Sequence, residues 1–290
     1  MNKLTKDTKI LIIGLGVIGG GYAKALTYSG YRHVRCITKN ASDIDYALTH
    51  GIIECGSTEP DAELIADSEL IVFALYPTVF IDWIKKYRHL LKSGTVITDV
   101  TGIKGGIVYE IQQLLGEDIE FISAHPMAGR EKSGVEYSSA EVFRGANYIV
   151  VPTERNTEAA IAICESLGEA LGFARVTRLT VDEHDRMIAF LSQLTHCIAV
   201  TLMNSNTEPG LEKYTGDSFR DLTRIAKIND LMWSELFLLN KDALVSEMDA
   251  FTEKFVQLRN MIANSDQEAI RSEMRSATSR RELFDKPKNN

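Results

Sequence analysis

The residues with the clearest chemical promise fall in several separate places along the chain. Gly14-Leu-Gly16-Val-Ile-Gly19 follows the apolar run Ile10–Ile13 and opens the amphipathic stretch Ile18–Tyr28. Glycine at this spacing permits a tight turn and a close approach of backbone to a pyrophosphate, and the start of the following helix offers N–H groups and the positive end of its dipole. Gly14, Gly16, Val17, Ile18 and Gly19 are therefore the expected cofactor-binding set, with a glycine-rich turn that binds nothing as the plain alternative. The carboxylate that holds an adenosine ribose belongs about 20 residues further on, at the end of the second strand. Thr38-Lys39-Asn40 stands there instead. A hydroxyl beside a lysine suits a 2′-phosphate better than a bare diol. The expected cofactor is thus NAD(P)+ with NADP favoured, against a reading of Lys39 as a solvated loop residue.

Two later strand ends add groups that handle protons. Asp99-Val-Thr101-Gly-Ile-Lys104 closes one apolar run and Ser123-Ala-His125-Pro-Met-Ala-Gly129 closes the next. In a doubly wound sheet such ends share the crevice in which the cofactor lies. Asp99 is counted with the cofactor-binding residues, and Thr101 and His125 are expected at the reacting end, where His125 would act on a substrate hydroxyl. A purely structural histidine is the competing reading. His196 lies four residues after Ser192 and three after Gln193 on a helix expected over Asp182–Asn204, hence on one face with them. They read equally as catalytic groups or as a buried hydrogen-bond network, whereas His184, near the helix start, reads as solvated. In Phe219-Arg-Asp221-Leu-Thr-Arg224-Ile-Ala226, two arginines and an aspartate share a face. They suit either a carboxylate clamp in which Asp221 steadies an arginine or an ordinary surface ion-pair face.

The elements that must position these groups follow from the apolar pattern. Up to about residue 180, short apolar runs alternate with amphipathic stretches (Val34–Thr38, Leu70–Leu75, Trp83–Leu91, Val96–Val100, Phe121–Ala124, Tyr148–Val151), the rhythm of βαβ units in a parallel sheet covered on both faces. Pro77 is placed to open a helix. Beyond that point the spacing is helical. The fold class expected is α/β: a Rossmann-type doubly wound sheet over 1–180, then an all-α domain over 181–290. Leu244, Met248, Phe251, Phe255, Leu258 and Ile262 form a seam that wants another helix, from the same subunit or a second one. The tail beyond Ser279 reads as frayed.

Composition narrows the partners. A formal net charge of −8 gives no basic field for a polyanion, so no nucleic acid is expected. The start is polar and its first apolar run is too short for a signal peptide or span, so a cytoplasmic protein without a membrane partner is expected. Cys36, Cys55, Cys164 and Cys197 show neither disulfide nor zinc spacing and are read as reduced thiols; no metal is expected.

Taken in order, Gly14-x-Gly16-x-x-Gly19, Asp99-Val-Thr101-Gly-Ile-Lys104, His125-Pro-Met-Ala-Gly129-Arg130-Glu131-Lys-Ser133-Gly134, His184-Asp185 … Ser192-Gln-Leu-Thr-His196 and Phe219-Arg-Asp221-Leu-Thr-Arg224 … Met232-Trp233 resemble the prephenate/arogenate dehydrogenase family. The resemblance runs through nearly the whole chain. It implies that His125 hydrogen-bonds the ring hydroxyl of a cyclohexadienyl acid, that Ser192 and His196 lie near substrate and nicotinamide, that Arg224 binds a carboxylate, and that Glu131 is an acidic gate. It also implies that the helical domain over 181–290 serves substrate binding and dimerisation, giving a homodimer. Departures from the pattern are Thr101-Gly102, where many members carry Gly-Ser so that Thr101 would have to substitute, Arg130, which would add a cation beside the pocket, and Thr38. The expected activity is oxidative decarboxylation of prephenate in tyrosine biosynthesis. Arogenate is the alternative substrate, and a hydroxyacid dehydrogenase or a non-catalytic NAD(P)-sensing dimer are the more distant readings.

Overall fold

The computed structural model describes residues 3–129 and 134–285. Nine strands and twelve α-helices are described, and the first half alternates as the apolar pattern requires. Strands β1 (Ile10–Ile13), β2 (Val34–Ile37), β3 (Cys55–Ser57), β4 (Leu70–Phe73), β5 (Val96–Asp99) and β6 (Glu120–Phe121) form one parallel sheet in the order β3-β2-β1-β4-β5-β6. Helices α1 (Val17–Tyr28), α2 (Ala41–Thr49), α3 (Ala62–Ala66), α4 (Pro77–Tyr87) and α5 (Val108–Leu114) connect them. All four residues of β1, β2, β4 and β5 are buried, as expected when helices cover both faces of a parallel sheet. The strand order reverses between β1 and β4, so the crevice beyond their carboxyl ends is the natural ligand position. Pro77 occupies the first turn of α4, where its missing N–H costs nothing.

The expectation of one continuous parallel sheet needs correction at its far edge. The run Phe121–Ala124 is divided: Phe121 ends β6, and β7 (Ser123–Pro126) belongs to a second sheet, β7-β8-β9. There β8 (Asn147–Val151) runs antiparallel to β7 and parallel to β9 (Arg175–Arg178), with α6 (Glu158–Ala170) between β8 and β9. An apolar run reports burial and not the direction of pairing, so Tyr148–Val151 could be recognised as a strand without revealing its sense.

The helix expected over Asp182–Asn204 is also not uniform. Thr180 and Glu183 form a reciprocal capping box at the start of α7 (Val181–Ile188). Residues Ala189–Leu194 then form a π-helical segment, and α8 (Thr195–Asn204) resumes the ordinary spacing. Helices α9 (Asp217–Thr223) and α10 (Asp230–Leu239) follow. Glu235 on α10 accepts from the Thr78 N–H at 2.7 Å and from the Thr78 hydroxyl, which places a carboxylate on the first turn of α4.

The chain divides into two compact units, Met1–Lys241 and Asp242–Asn290. The smaller unit holds most of α11 (Lys241–Ala263) and all of α12 (Gln267–Glu282), joined through Ser265 at φ 54°. Within α11, Met248, Phe251, Phe255 and Ile262 of the expected seam are solvent-facing, and Phe251 and Phe255 stack on each other.

Candidate active site

The glycine turn is built as its sequence suggests. Gly14 has φ +97°, a conformation that L side chains avoid, and a Cβ there would meet the Ala74 carbonyl at 2.5 Å. A Cβ on Gly19 would lie 1.9 Å from the Gly14 carbonyl, so the turn closes against the helix only with glycine at both positions. A Cβ on Gly16 would meet nothing within 4 Å. Gly16 caps α1 without any side-chain acceptor, leaving the Val17, Ile18 and Gly19 amides of the first turn to an external anion. These features fit a dinucleotide pyrophosphate. Thr38 follows β2 and donates its amide to the Ser57 carbonyl at 3.1 Å, and Lys39 beside it is exposed.

Asp99, expected among the cofactor contacts, is enclosed instead. It is completely buried, and its carboxylate accepts from the Ser123 hydroxyl (2.6 Å), the Ala124 amide (2.9 Å), the Thr101 amide (3.1 Å) and the Thr101 hydroxyl. The Lys104 ammonium, also completely buried, lies 3.0 Å from Asp99 and donates to the Ala124 carbonyl at 2.7 Å. Burial pushes the Lys104 ammonium below its ordinary pKa, against the opposing pull of Asp99. This ion pair ties the end of β5 to the start of β7 one residue before His125. The same bonds correct the expectation for Thr101. Its hydroxyl is held by Asp99 and by the Ile103 carbonyl at 3.0 Å, so it positions the loop and does not serve His125. Gly102 faces the Nε2 side of the imidazole, since a Cβ there would lie 3.7 Å from His125 Nε2.

His125 does not stand alone. Its Nδ1 lies 2.9 Å from Nε2 of His184, whose Nδ1 lies 2.7 Å from Asp185 Oδ1. The Asp185 carboxylate is itself fixed by the Lys104 amide (2.9 Å) and the Gly105 amide (2.6 Å). A carboxylate only accepts, so a neutral His184 carries its proton on Nδ1 and accepts through Nε2. His125 therefore donates through Nδ1, and its Nε2 lone pair is left toward Gly102. Burial, then the neighbouring His184 and Lys104, hold the His125 imidazole well below its ordinary pKa, and burial lowers that of His184 too. His184, which reads as solvated from its position near the helix start, is completely buried. The signal was present in the sequence, because Val181, His184 and Ile188 share the buried face of α7 at steps of three and four.

The other expected residues divide. His196 donates from Nδ1 to the Ser192 carbonyl at 2.8 Å and stacks on Trp233 with ring centroids 3.7 Å apart. Ser192 lies on the π-helical segment. Gln193 belongs to the buried network: it donates to the Leu236 carbonyl at 2.9 Å and accepts from Asn240 at 2.7 Å. Arg220 turns to the Thr215 carbonyl at 3.1 Å and to Asp217, while Asp221 and Arg224 are exposed at the end of α9 and just beyond it. Arg130 and Glu131 lie outside the described residues. Among the described residues no group of His, Cys, Asp and Glu is arranged to hold a metal ion.

Comparison with known proteins supplies the frame for this geometry. The model of the prephenate dehydrogenase nucleotide-binding domain matches residues 22–177, and that of the prephenate dehydrogenase dimerization domain matches residues 180–276. A prephenate dehydrogenase of Bacillus subtilis is 28% identical over 278 residues, covering 93% of this chain and 74% of that protein. One of Lactococcus lactis is 30% identical over 273 residues, covering 90% and 73%. The crystal structure of the A. aeolicus prephenate dehydrogenase in complex with hydroxyphenyl propionate and NAD+ superposes with a TM-score of 0.88 at 29% identity, covering 97% of this chain and 99% of that one. A glycine turn shaped for a dinucleotide, a buried histidine pair at the adjoining strand end, and these matches over both halves establish that the chain belongs to the prephenate dehydrogenase family.

Proposed function

We propose that this enzyme is a prephenate dehydrogenase that converts prephenate to 4-hydroxyphenylpyruvate and carbon dioxide with NAD(P)+ as hydride acceptor. The observation that carries the reading is His125, a neutral buried imidazole held by His184 and Asp185 with Nε2 as its acceptor. The substrate holds a ring hydroxyl, a ring carboxylate and a pyruvyl side chain. His125 Nε2 accepts the proton of the ring hydroxyl as the carbinol carbon gives up hydride. The bond to the ring carboxylate then breaks, carbon dioxide leaves, and its electron pair makes the ring aromatic. His125 returns its proton to the phenolic oxygen, so no net proton is released. The nicotinamide supplies the hydride acceptor when bound, and Gly14, Gly16, Val17, Ile18 and Gly19 hold its pyrophosphate. Ser192 and His196 border the substrate, and Arg224 pairs with a substrate carboxylate, with Asp221 one turn before it. Residues 1–180 serve as the dinucleotide domain and 181–290 as the substrate and dimerisation domain. The exposed apolar residues of α11 support a homodimer in which a second copy covers them.

Absorbance of reduced cofactor on mixing the protein with prephenate or arogenate and NAD+ or NADP+ tests this directly. Reduction with prephenate is expected; reduction with arogenate alone would move the substrate to the amino analogue, and silence in all four mixtures would refute the reading. For the cofactor, Lys39→Ala should lower kcat/KM for NADP+ by about tenfold and leave that for NAD+ unchanged, because a charge-assisted bond to the 2′-phosphate is lost. A wild-type preference for NAD+ would remove Thr38 and Lys39 from cofactor selection. Arg224→Ala should raise the substrate KM by roughly 10–100-fold through loss of a charged hydrogen bond. An unchanged KM would return Arg224 to an ordinary surface role.

A further inference from the structure

His184 and His196 are 12 residues apart in the sequence. In an unbroken α-helix of 3.6 residues per turn that separation leaves two side chains about 120° out of line. A π turn closes its hydrogen bond one residue later than an α turn and so absorbs one residue. The π-helical segment Ala189–Leu194 lies between the two histidines. With one residue absorbed, the remaining 11 make almost three whole turns, and the two side chains come to within about 20° of each other.

A π turn is rare, and this one is bracketed by buried amides. Asn240 is buried and donates through Nδ2 to the Asp185 carbonyl before the segment (2.9 Å) and to Gln193 Oε1 within it (2.7 Å). Gln193, also buried, donates to the Leu236 carbonyl at 2.9 Å. The Ser192 carbonyl is taken by the side chains of Thr195 (2.6 Å) and His196 (2.8 Å). The donor from His196 fixes its proton on Nδ1 and turns Nε2 away from the helix. Asp185 joins the two systems, because its carboxylate orients His184 while its backbone carbonyl is held by Asn240.

We propose that Asn240 and Gln193 are positioning residues that hold this π turn and thereby set His196 on the helix face that carries His184, in line with His125. The proposal rests on the reading of His125 as the proton-handling group, and it is tested by a signal that does not depend on turnover. The chain has two tryptophans, Trp83 and Trp233, so a Trp83→Phe background isolates the indole that stacks on His196. In that background the emission should fall as His196 takes a proton. Asn240→Leu, and Gln193→Met as a volume-conserving second variant, should abolish that pH dependence. They should also lower kcat about 10²-fold, the scale of an ångström-level misplacement, with cofactor affinity unchanged. Thermal unfolding followed by circular dichroism identifies the variants that remain folded. Folded variants that keep both the pH-dependent emission and the turnover overturn the proposal, as does a lost emission signal with full turnover. If the unmodified protein reduces no cofactor with either cyclohexadienyl acid yet both variants lose the emission signal, the assigned reaction fails while the placement of His196 by the bracket stands.

Discussion

His125→Asn should lower turnover by about 10²–10⁴-fold while NAD(P)+ binding persists, the range over which a positioned acid–base group contributes to rate. Asparagine retains a hydrogen-bonding group but has no basic nitrogen to take up the hydroxyl proton. The cofactor turn at Gly14–Gly19 involves neither His125 nor its partner His184, so a fluorescence titration with reduced cofactor should be unaffected. Near-normal turnover would dismiss His125 from the chemistry. The same residue sets the pH dependence. Burial, His184 and Lys104 hold its imidazole well below 6.5, so the acceptor is neutral at pH 7 and activity is lost only as pH falls through that depressed value. A loss of kcat/KM centred at or above 6.5 would contradict the geometry. Stability responds earlier, between 6.5 and that depressed value. Below 6.5 the unfolded chain binds a proton that the folded chain refuses, so unfolding becomes easier with acidification.

Lys104→Met should destabilise the protein by about 3–5 kcal/mol, the largest effect expected from one substitution outside the substrate-contacting groups, because it leaves the Asp99 carboxylate buried without its counter-charge. Both members of the pair are completely shielded from solvent, and their bonds join β5, the following loop and β7. Asp99→Asn added to Lys104→Met removes the stranded charge while keeping an acceptor for Ser123 and Ala124. Much of the lost stability should then return, which urea unfolding of the single and double variants measures. A cost below about 1 kcal/mol for Lys104→Met would place the pair in the class of exposed ion pairs, at odds with its burial. Because the pair anchors the residue before His125, the double variant should remain folded and still show impaired turnover.

Local features carried well from sequence to structure. The glycine turn was legible because its requirement is local: Gly14 needs a positive φ, and Gly19 must let the chain close on itself within five residues. The buried strands β1, β2, β4 and β5 were legible because a parallel sheet covered on both faces demands unbroken apolar runs. The family motifs identified His125, Ser192, His196, Asp221 and Arg224 as candidates, and the change to helical spacing near residue 180 marked the second half.

The sequence by itself therefore determined the glycine turn, the type of sheet that carries it and the candidates for the site. Tertiary structure decided which groups meet, because partners distant in the chain are selected by packing and leave no trace in local periodicity. His125 and His184 are 59 positions apart, and only their contact turns a residue read as solvated into the group that fixes the tautomer of His125. Asp99 and Thr101 looked like crevice residues until the buried Lys104 drew them inward. The direction of β8 was open because burial of a strand is indifferent to the sense of its neighbour. The π turn left no mark on the apolar spacing of its helix. It lies where Asn240, 47 residues beyond Gln193, bonds the Asp185 carbonyl before the segment and the Gln193 side chain within it.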